Sequence, residues 1–471
     1  MHAAASRPSL WHAALLTVAL ATTRPAAAHA PVTAEAGADA AAATDVATND
    51  AGVQAVDPWE QGASALPVVP LTRGSVVACS TRGHPLCVRG PRGSEARVLG
   101  ALRAADEAWA IATGALRLPR PGTPLETGTF EVELVDGLGG EAQVVLVERD
   151  PLASFDRATA GGRVDASLDG CARDAAVSRA IFEAIALGTA PATSEGLRAS
   201  TGEHLTRLTL PCAIALLDDT ATFQALPSRA LFRSGESALE RRAARGAAAF
   251  FDWADSRFGR EPGGLVRATW ALAATKTAHD AARLSWNPDL IDVVETSFRG
   301  VLSVNSTLDD LFLRFAASRL TFGSNADEAT LLTSRAWGDA GKIALDLSVD
   351  WPLVPRRFLS PRPLEPTGVS FVRVGRQGAA KGSRLRVEAE WEEHARLRWM
   401  AFKLDGSGRV LQSVLVPAVP RATSAQVTVT ELDGAQAVVL MAMNAGDHAR
   451  PFDPDDAVLE PHGYLLTIAN E

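Results

Sequence analysis

The sequence predicts an α+β fold, and three textures along the chain carry that prediction. Residues 94–320 combine helical apolar periodicity with two strand-like runs near their start. Five of the chain's 27 prolines then fall within residues 351–366. Beyond them, alternating segments separated by turns run toward residue 471 with no helix signal. The expected layout is a mostly helical domain with a small N-terminal sheet over 66–350 and a Pro-rich linker over 351–366. An antiparallel β-sandwich follows over 367–471.

The elements follow in order. Residues 1–30 contain a short basic region, an apolar run LWHAALLTVALA and the ending Ala28-His29-Ala30. That pattern predicts a cleaved secretory signal peptide, too short in its apolar part for a permanent span. Residues 31–65 are rich in Ala, Thr, Gly and Asp and hold few large apolar side chains, which predicts a disordered Ala-rich tether. In SEARVLGALRAADEAWAIATGAL, Val98, Leu102, Ala105, Trp109 and Ala112 recur at helical steps behind a possible cap at Ser94. FEVELV alternates as a half-buried strand, and AQVVLVE, apolar on both faces, reads as an inner strand.

Helices dominate next. One is expected over 174–187. Another runs through ESALERRAARGAAAFFDWADSRFG, with Leu239, Ala243, Ala247, Phe250, Ala254 and Phe258 as its stripe. It has a capping box at Ser237 and Glu240 and a stop at Gly259. Further helices are expected after Asn287-Pro288 and from Thr307 to Gly323. In the last part VSFVRVG, SRLRVEAEWEE, RLRWMAFKLDGSGRVLQSVLV, AQVTVTEL and AVVLMAMNAG read as strands, with a hairpin at Asp405-Gly406.

The net charge of −9 argues against nucleic acid as a partner. Four cysteines in an exported chain predict two disulfides, with Cys79–Cys87 and Cys171–Cys212 as the favoured local pairing. Their spacing does not suit zinc. The sequence therefore places the protein in the periplasm or outside the cell, with no stable membrane span after cleavage.

Three segments carry the candidate chemistry: SRAIFEAIALG at 178–188, TSEGLRASTGEHL with Glu195-Gly196-Leu197, and AAAFFDWADSRFG. Their order after a helix and strands resembles the catalytic domain of zinc metallopeptidases of the peptidase-MA, or gluzincin, class. The resemblance covers roughly residues 94–320. It implies an HExxH helix preceded by a strand, followed by a segment bearing a third, glutamate ligand. Here Glu183 matches the general base and Glu195 the third ligand, but Phe182 and Ala186 stand where the two zinc-binding histidines belong. No HExxH occurs in the chain.

Helical geometry adds to this. Val177, Ile181 and Ile185 form a four-residue stripe, and Glu183 lies about 160° from its centre, which predicts a surface glutamate paired with Arg179. His204 reads as a helix-face histidine. If the chain is active, Glu183, Glu195 and His204 are the candidate catalytic residues. Asp453, Asp455 and Asp456 crowd a loop in the sandwich as calcium candidates, although loop solvation explains such runs as well.

The expected function is that of an exported, non-catalytic, pseudo-metallopeptidase-like protein of the envelope or extracellular space. It needs no cofactor and binds a protein, peptide or glycan. The alternative is an active secreted hydrolase or peptidase with a non-standard site.

Overall fold

A computed structural model describes residues 68–71, 74–150, 157–190, 193–216, 218–233, 235, 237–273, 294, 296–299, 307–326, 332–417, 419–447 and 460–471. The expected leader, the tether, the helix start at Asn287-Pro288 and the loop with Asp453, Asp455 and Asp456 lie outside the described residues.

The first sheet is mixed and six-stranded. Its strands are β1 (Val68–Leu71), β2 (Ser75–Cys79), β3 (Leu86–Pro91), β4 (Phe130–Val135), β5 (Ala142–Asp150) and β6 (Arg157–Asp165), in the order β1-β2-β3-β4-β6-β5. β3, β4 and β6 run parallel, and the remaining pairs are antiparallel. FEVELV is β4, with Phe130, Val132 and Leu134 buried as its alternation predicts. AQVVLVE is not an inner strand: β5 is the sheet's edge, and Val145 and Val147 are exposed. The inner place belongs to β6, RATAGGRVD, which carries little hydrophobic signal. Its small residues admit a helix at close range, since a Cβ at Gly162 would stand 3.2 Å from the Ala180 Cβ.

Eight helices carry labels here: α1 (Glu95–Ala110), α2 (Gly170–Thr189), α3 (Glu195–Thr209), α4 (Asp218–Ala225), α5 (Ala238–Gly246), α6 (Ala248–Phe258), α7 (Gly264–Ala273) and α8 (Leu308–Arg319). α1 connects the parallel strands β3 and β4, and its predicted stripe is buried. Ser94 does not cap it, because its hydroxyl donates to the Pro91 carbonyl at 2.6 Å instead. The single helix expected over 237–259 is two helices broken at Ala247. The capping box at Ser237 and Glu240 and the stop at Gly259 are present, while Leu239 of the expected stripe is exposed. The break turns Phe250 and Phe251 into an aromatic cluster with Phe232, Phe298, Phe312 and Phe315, with ring centroids 5.2–6.2 Å apart. Thr307 caps α8 by accepting from the Asp310 N–H at 3.2 Å.

Both expected disulfides form. Cys79–Cys87 joins facing residues of β2 and β3, and Cys171–Cys212 ties the start of α2 to the turn after α3.

The C-terminal strands form two sheets. β7 (Leu347–Val349), β9 (Val369–Gly375), β11 (Ala395–Leu404), β12 (Val410–Leu415) and β14 (Ala437–Asp447) make a five-stranded sheet, ordered β12-β11-β14-β9-β7. β8 (Arg356–Leu359), β10 (Leu385–Trp391), β13 (Ser424–Val429) and β15 (Tyr464–Asn470) make a four-stranded sheet, ordered β13-β10-β15-β8. The Asp405 turn joins β11 to β12 as predicted, its carboxylate accepting from the N–H groups of Ser407 (2.8 Å) and Arg409 (2.9 Å).

The expected linker over 351–366 is part of this sandwich. Trp351 and Leu364 are buried in its core, β8 pairs with β15, and Leu364 and His462 exchange backbone hydrogen bonds of 2.8 and 2.9 Å. The prolines flank β8 without interrupting it, which an edge strand tolerates.

The sandwich and the helices also share a core. On β14, Val438, Leu440 and Ala442 face the four-stranded sheet, while Val439, Met441 and Met443 join the helical core with Val369, Phe371 and Phe402. The five-stranded sheet is thus the middle of three layers, and the described residues fall within one compact unit. Polar contacts seal the seam: the Leu231 N–H donates to Thr367 at 2.7 Å, Arg398 holds Asp310 at 3.1 Å, and Arg396 holds Asp309.

Candidate functional site

α2 is buried on nearly every side. The stripe of Val177, Ile181 and Ile185 is buried as predicted, but so are Phe182, Ala184 and Ala186. The two positions matching zinc-binding histidines are therefore packed core. Glu183 is half-buried, not a solvated surface residue as its helical angle suggested, because α3 lies across that face. A Cβ at Gly202 would come within 2.7 Å of the Glu183 Cγ, so the absence of a side chain on α3 makes the room that Glu183 occupies. Burial disfavours the charged carboxylate and outweighs the nearby guanidiniums of Arg179, Arg245 and Arg198; with Glu195 adding repulsion, the pKa is pushed up to about 7.

The expected Arg179–Glu183 pair is replaced by another. Arg179 donates to Glu203 at 2.7 Å and lies 3.7 Å from Asp219. These contacts belong to a buried chain of alternating charges that crosses five elements. Glu141 receives two hydrogen bonds from Arg245 (3.1 and 3.2 Å), which also grips Asp219 (2.8 and 3.0 Å). Glu203 is held by Arg179 and by Arg207 (3.0 Å), and Arg207 reaches Asp252 at 2.9 Å. His204 ends the chain, its Nδ1 at 2.7 Å from Asp252 and its Nε2 at 3.0 Å from Asp255.

Five carboxylates thus face the buried guanidiniums of Arg179, Arg207 and Arg245, with Arg241 (3.4 Å) and Arg242 (3.5 Å) also reaching Glu141 from the rim, so every charge in the chain has an opposite partner. Burial alone would lower the His204 pKa. Its hydrogen bonds and charge contacts with Asp252 and Asp255 prevail and raise it to about 9. The same pairing holds Asp252 below the usual carboxylate range despite its burial.

α3 supplies Glu203, His204 and Arg207, more of this chain than any other element, and its hydroxyls are satisfied locally. Thr201, Thr206 and Thr209 return their hydroxyls to carbonyls four residues back at 2.8–2.9 Å. Asp255 additionally accepts from the Gly263 and Leu265 N–H groups (2.6 and 3.1 Å), capping α7.

The three candidate catalytic residues do not converge. Glu195 is exposed in the first turn of α3 and near enough to Glu183 to raise its pKa. His204 follows nine residues later, about 13 Å along the helix axis. It also points about 200° around α3 from Gly202, the residue that faces Glu183. The calcium candidates Asp453, Asp455 and Asp456 lie outside the described residues.

A cavity of about 320 Å³ opens beside His204. His204, Asp252 and Asp255 give it a polar floor, while Leu208, Ile214, Pro262 and Trp337 supply apolar walls. The Arg207 guanidinium lies 5.7 Å from the centre of the Trp337 ring. Such a site suits a small, largely apolar group carrying one or two polar atoms. Both nitrogens of His204 are already engaged by carboxylates, so proton shuttling there would require one pair to break. Among the described residues, no three or more His, Cys, Asp or Glu side chains are grouped so as to hold a metal ion.

Asp252, Asp255, Glu203 and Arg207 are the residues that pattern reading misses. One signal was present: Glu203 and Arg207 stand four apart in the favourable order, and Asp252 and Asp255 share one helix face amid large apolar residues.

No protein-family model matches the chain, and no curated protein matches it. Among solved structures, it is similar to the pre-peptidase C-terminal domain of a collagenase from Bacillus anthracis. That match is 5% identical, covers 27% of this chain and 97% of that one, and has a TM-score of 0.18, too low to carry an argument.

Proposed function

We propose that this protein is an exported, non-catalytic binding protein of the envelope or extracellular space, built on a pseudo-metallopeptidase-like layout. The observation that carries the reading is the fate of α2: Phe182 and Ala186 fill core positions where the resemblance calls for zinc ligands. His204 supports it, because an imidazolium clamped between two aspartates is built to stay charged. Two disulfides are compatible with an oxidising compartment. Among the described residues, no helix is long and apolar enough to cross a membrane. The cavity beside His204 gives the protein a place to hold a ligand, of protein, peptide or glycan origin.

One observation favours the second reading, an active hydrolase with a non-standard site. Glu183 combines a pKa of about 7 with residual access to solvent, properties that suit a general base. The test is an assay of the purified protein against broad peptide and ester panels in zinc-supplemented buffer. The binding-protein reading expects no turnover above buffer. Turnover abolished by Glu183→Gln contradicts it.

A further inference from the structure

A second cavity lies far along the chain from His204, at the open side of the sandwich. β12 ends at Leu415, opposite Met400, while β11 continues back to Ala395. The chain then crosses toward β13 through Val416, Pro417, Val419 and Pro420, leaving a cavity of about 410 Å³ between the two sheets. That volume lies within the range of small-molecule sites.

Two tryptophans face it. Trp391, half-buried at the end of β10, and Trp399 on β11 have ring centroids 6.4 Å apart at 31°. The Trp391 indole N–H donates to the Ala395 carbonyl at 3.1 Å. Trp399 is only 5% exposed, yet its indole N–H has no hydrogen-bond partner among the described residues. A buried donor without an acceptor is costly, so a ligand bringing an acceptor has something to gain.

The free charge is small, since Arg396 and Arg398 already hold Asp309 and Asp310 across the seam. The cavity thus offers flat aromatic and proline surfaces, one unpartnered indole N–H and little net charge.

We infer that this cavity is a carbohydrate subsite for one or two neutral sugar rings, most suitably of the N-acetylhexosamine type. A pyranose ring presents a C–H face, which packs on the negative face of an indole. Its hydroxyls and acetamido carbonyl supply the acceptor that the Trp399 indole N–H lacks, and the acetamido methyl suits the Val and Pro wall. An acidic ligand would gain nothing from arginines already paired. An extended proline-rich peptide also stacks on tryptophan, but it calls for a groove many residues long, longer than a cavity of about 410 Å³ provides. This inference names a ligand class for the binding-protein reading and uses none of the residues around His204 or Glu183.

The test is calorimetric titration of the full protein with chitotriose, with cellotriose and a decaproline peptide titrated in parallel. The expected result is saturable binding of chitotriose, about tenfold weaker in Trp391→Ala and several-fold weaker in Trp399→Phe. The second variant removes the N–H donor and trims the indole to a single aromatic ring without emptying the site, so it decides the matter if Trp391→Ala fails to fold. No heat from either trisaccharide at millimolar concentration would overturn the inference. Binding unchanged in Trp399→Phe, or binding of decaproline alone, would overturn it as well. None of these outcomes bears on turnover, which tests the non-catalytic reading separately.

Discussion

His204 is held by two aspartates, and that arrangement makes its charge a matter of stability. Its folded pKa of about 9 lies above the ordinary histidine value near 6.5. The stabilisation is therefore fully present below about pH 6.5 and is lost as pH rises through about 9. His204→Gln should cost roughly 3 kcal/mol at neutral pH, because Asp252 and Asp255 lose a shared cation in the interior. The loss should shrink toward pH 9.5, a trend that denaturant melts across pH would record. Glu183 shifts stability in the same direction with pH, although there it is the charged form that burial penalises. Its folded pKa of about 7 exceeds the ordinary glutamate value, so its ionisation penalty grows from about pH 4.5 and is complete above pH 7. Glu183→Gln should thus stabilise the fold by about 1–2 kcal/mol at pH 8 and leave it unchanged at pH 4. Equal effects at both pH values would show that burial does not set its titration.

At the scale of elements, α3 is the unusual piece: a helix of small, hydroxylic and charged residues threaded through the core. Two glycines let its neighbours approach. A Cβ at Gly196 would lie 1.7 Å from the Phe232 carbonyl oxygen, whereas one at Gly202 meets only the flexible Glu183 side chain at 2.7 Å. Gly196→Ala should destabilise by about 3 kcal/mol or more, and Gly202→Ala by about 1 kcal/mol. Thermal unfolding would order them, and the reverse order would contradict the packing described here. The same element explains what the sequence conceals. Helix existence, caps at Ser237 and Thr307, and the sandwich strands are local properties, and they were legible. The burial of Glu183 was not, because the α2 stripe suggests one apolar face and gives no sign that α3 covers the other. β6 escaped notice for a similar reason, since its glycines and alanines serve close packing under α2 and not their own hydrophobicity. Asp252 and Asp255 look like a solvent face until α3 brings His204 between them.

For the whole molecule, the consequence concerns cooperativity. Prolines near 351–366 suggest a boundary, yet the chain there is sandwich, and the five-stranded sheet is buried on both faces. A fragment comprising residues 367–471 would lack β7 and β8 and expose Phe371, Phe402 and Met441 to water. It should be insoluble or bind a hydrophobic dye, while the intact protein unfolds in one transition. Two well-separated calorimetric peaks would instead restore two independent domains. Strands apolar on both faces, such as AVVLMAM, carry this information in the sequence; the proline count masks it.

The non-catalytic account stands most directly on metal. Zinc content should be measured on protein purified without chelator, alongside an E183A/E195A double variant. The account predicts no stoichiometric zinc in either. About one zinc per chain in the natural sequence, lost in the double variant, would contradict it and make Glu183 and Glu195 ligands or partners of an unusual catalytic site.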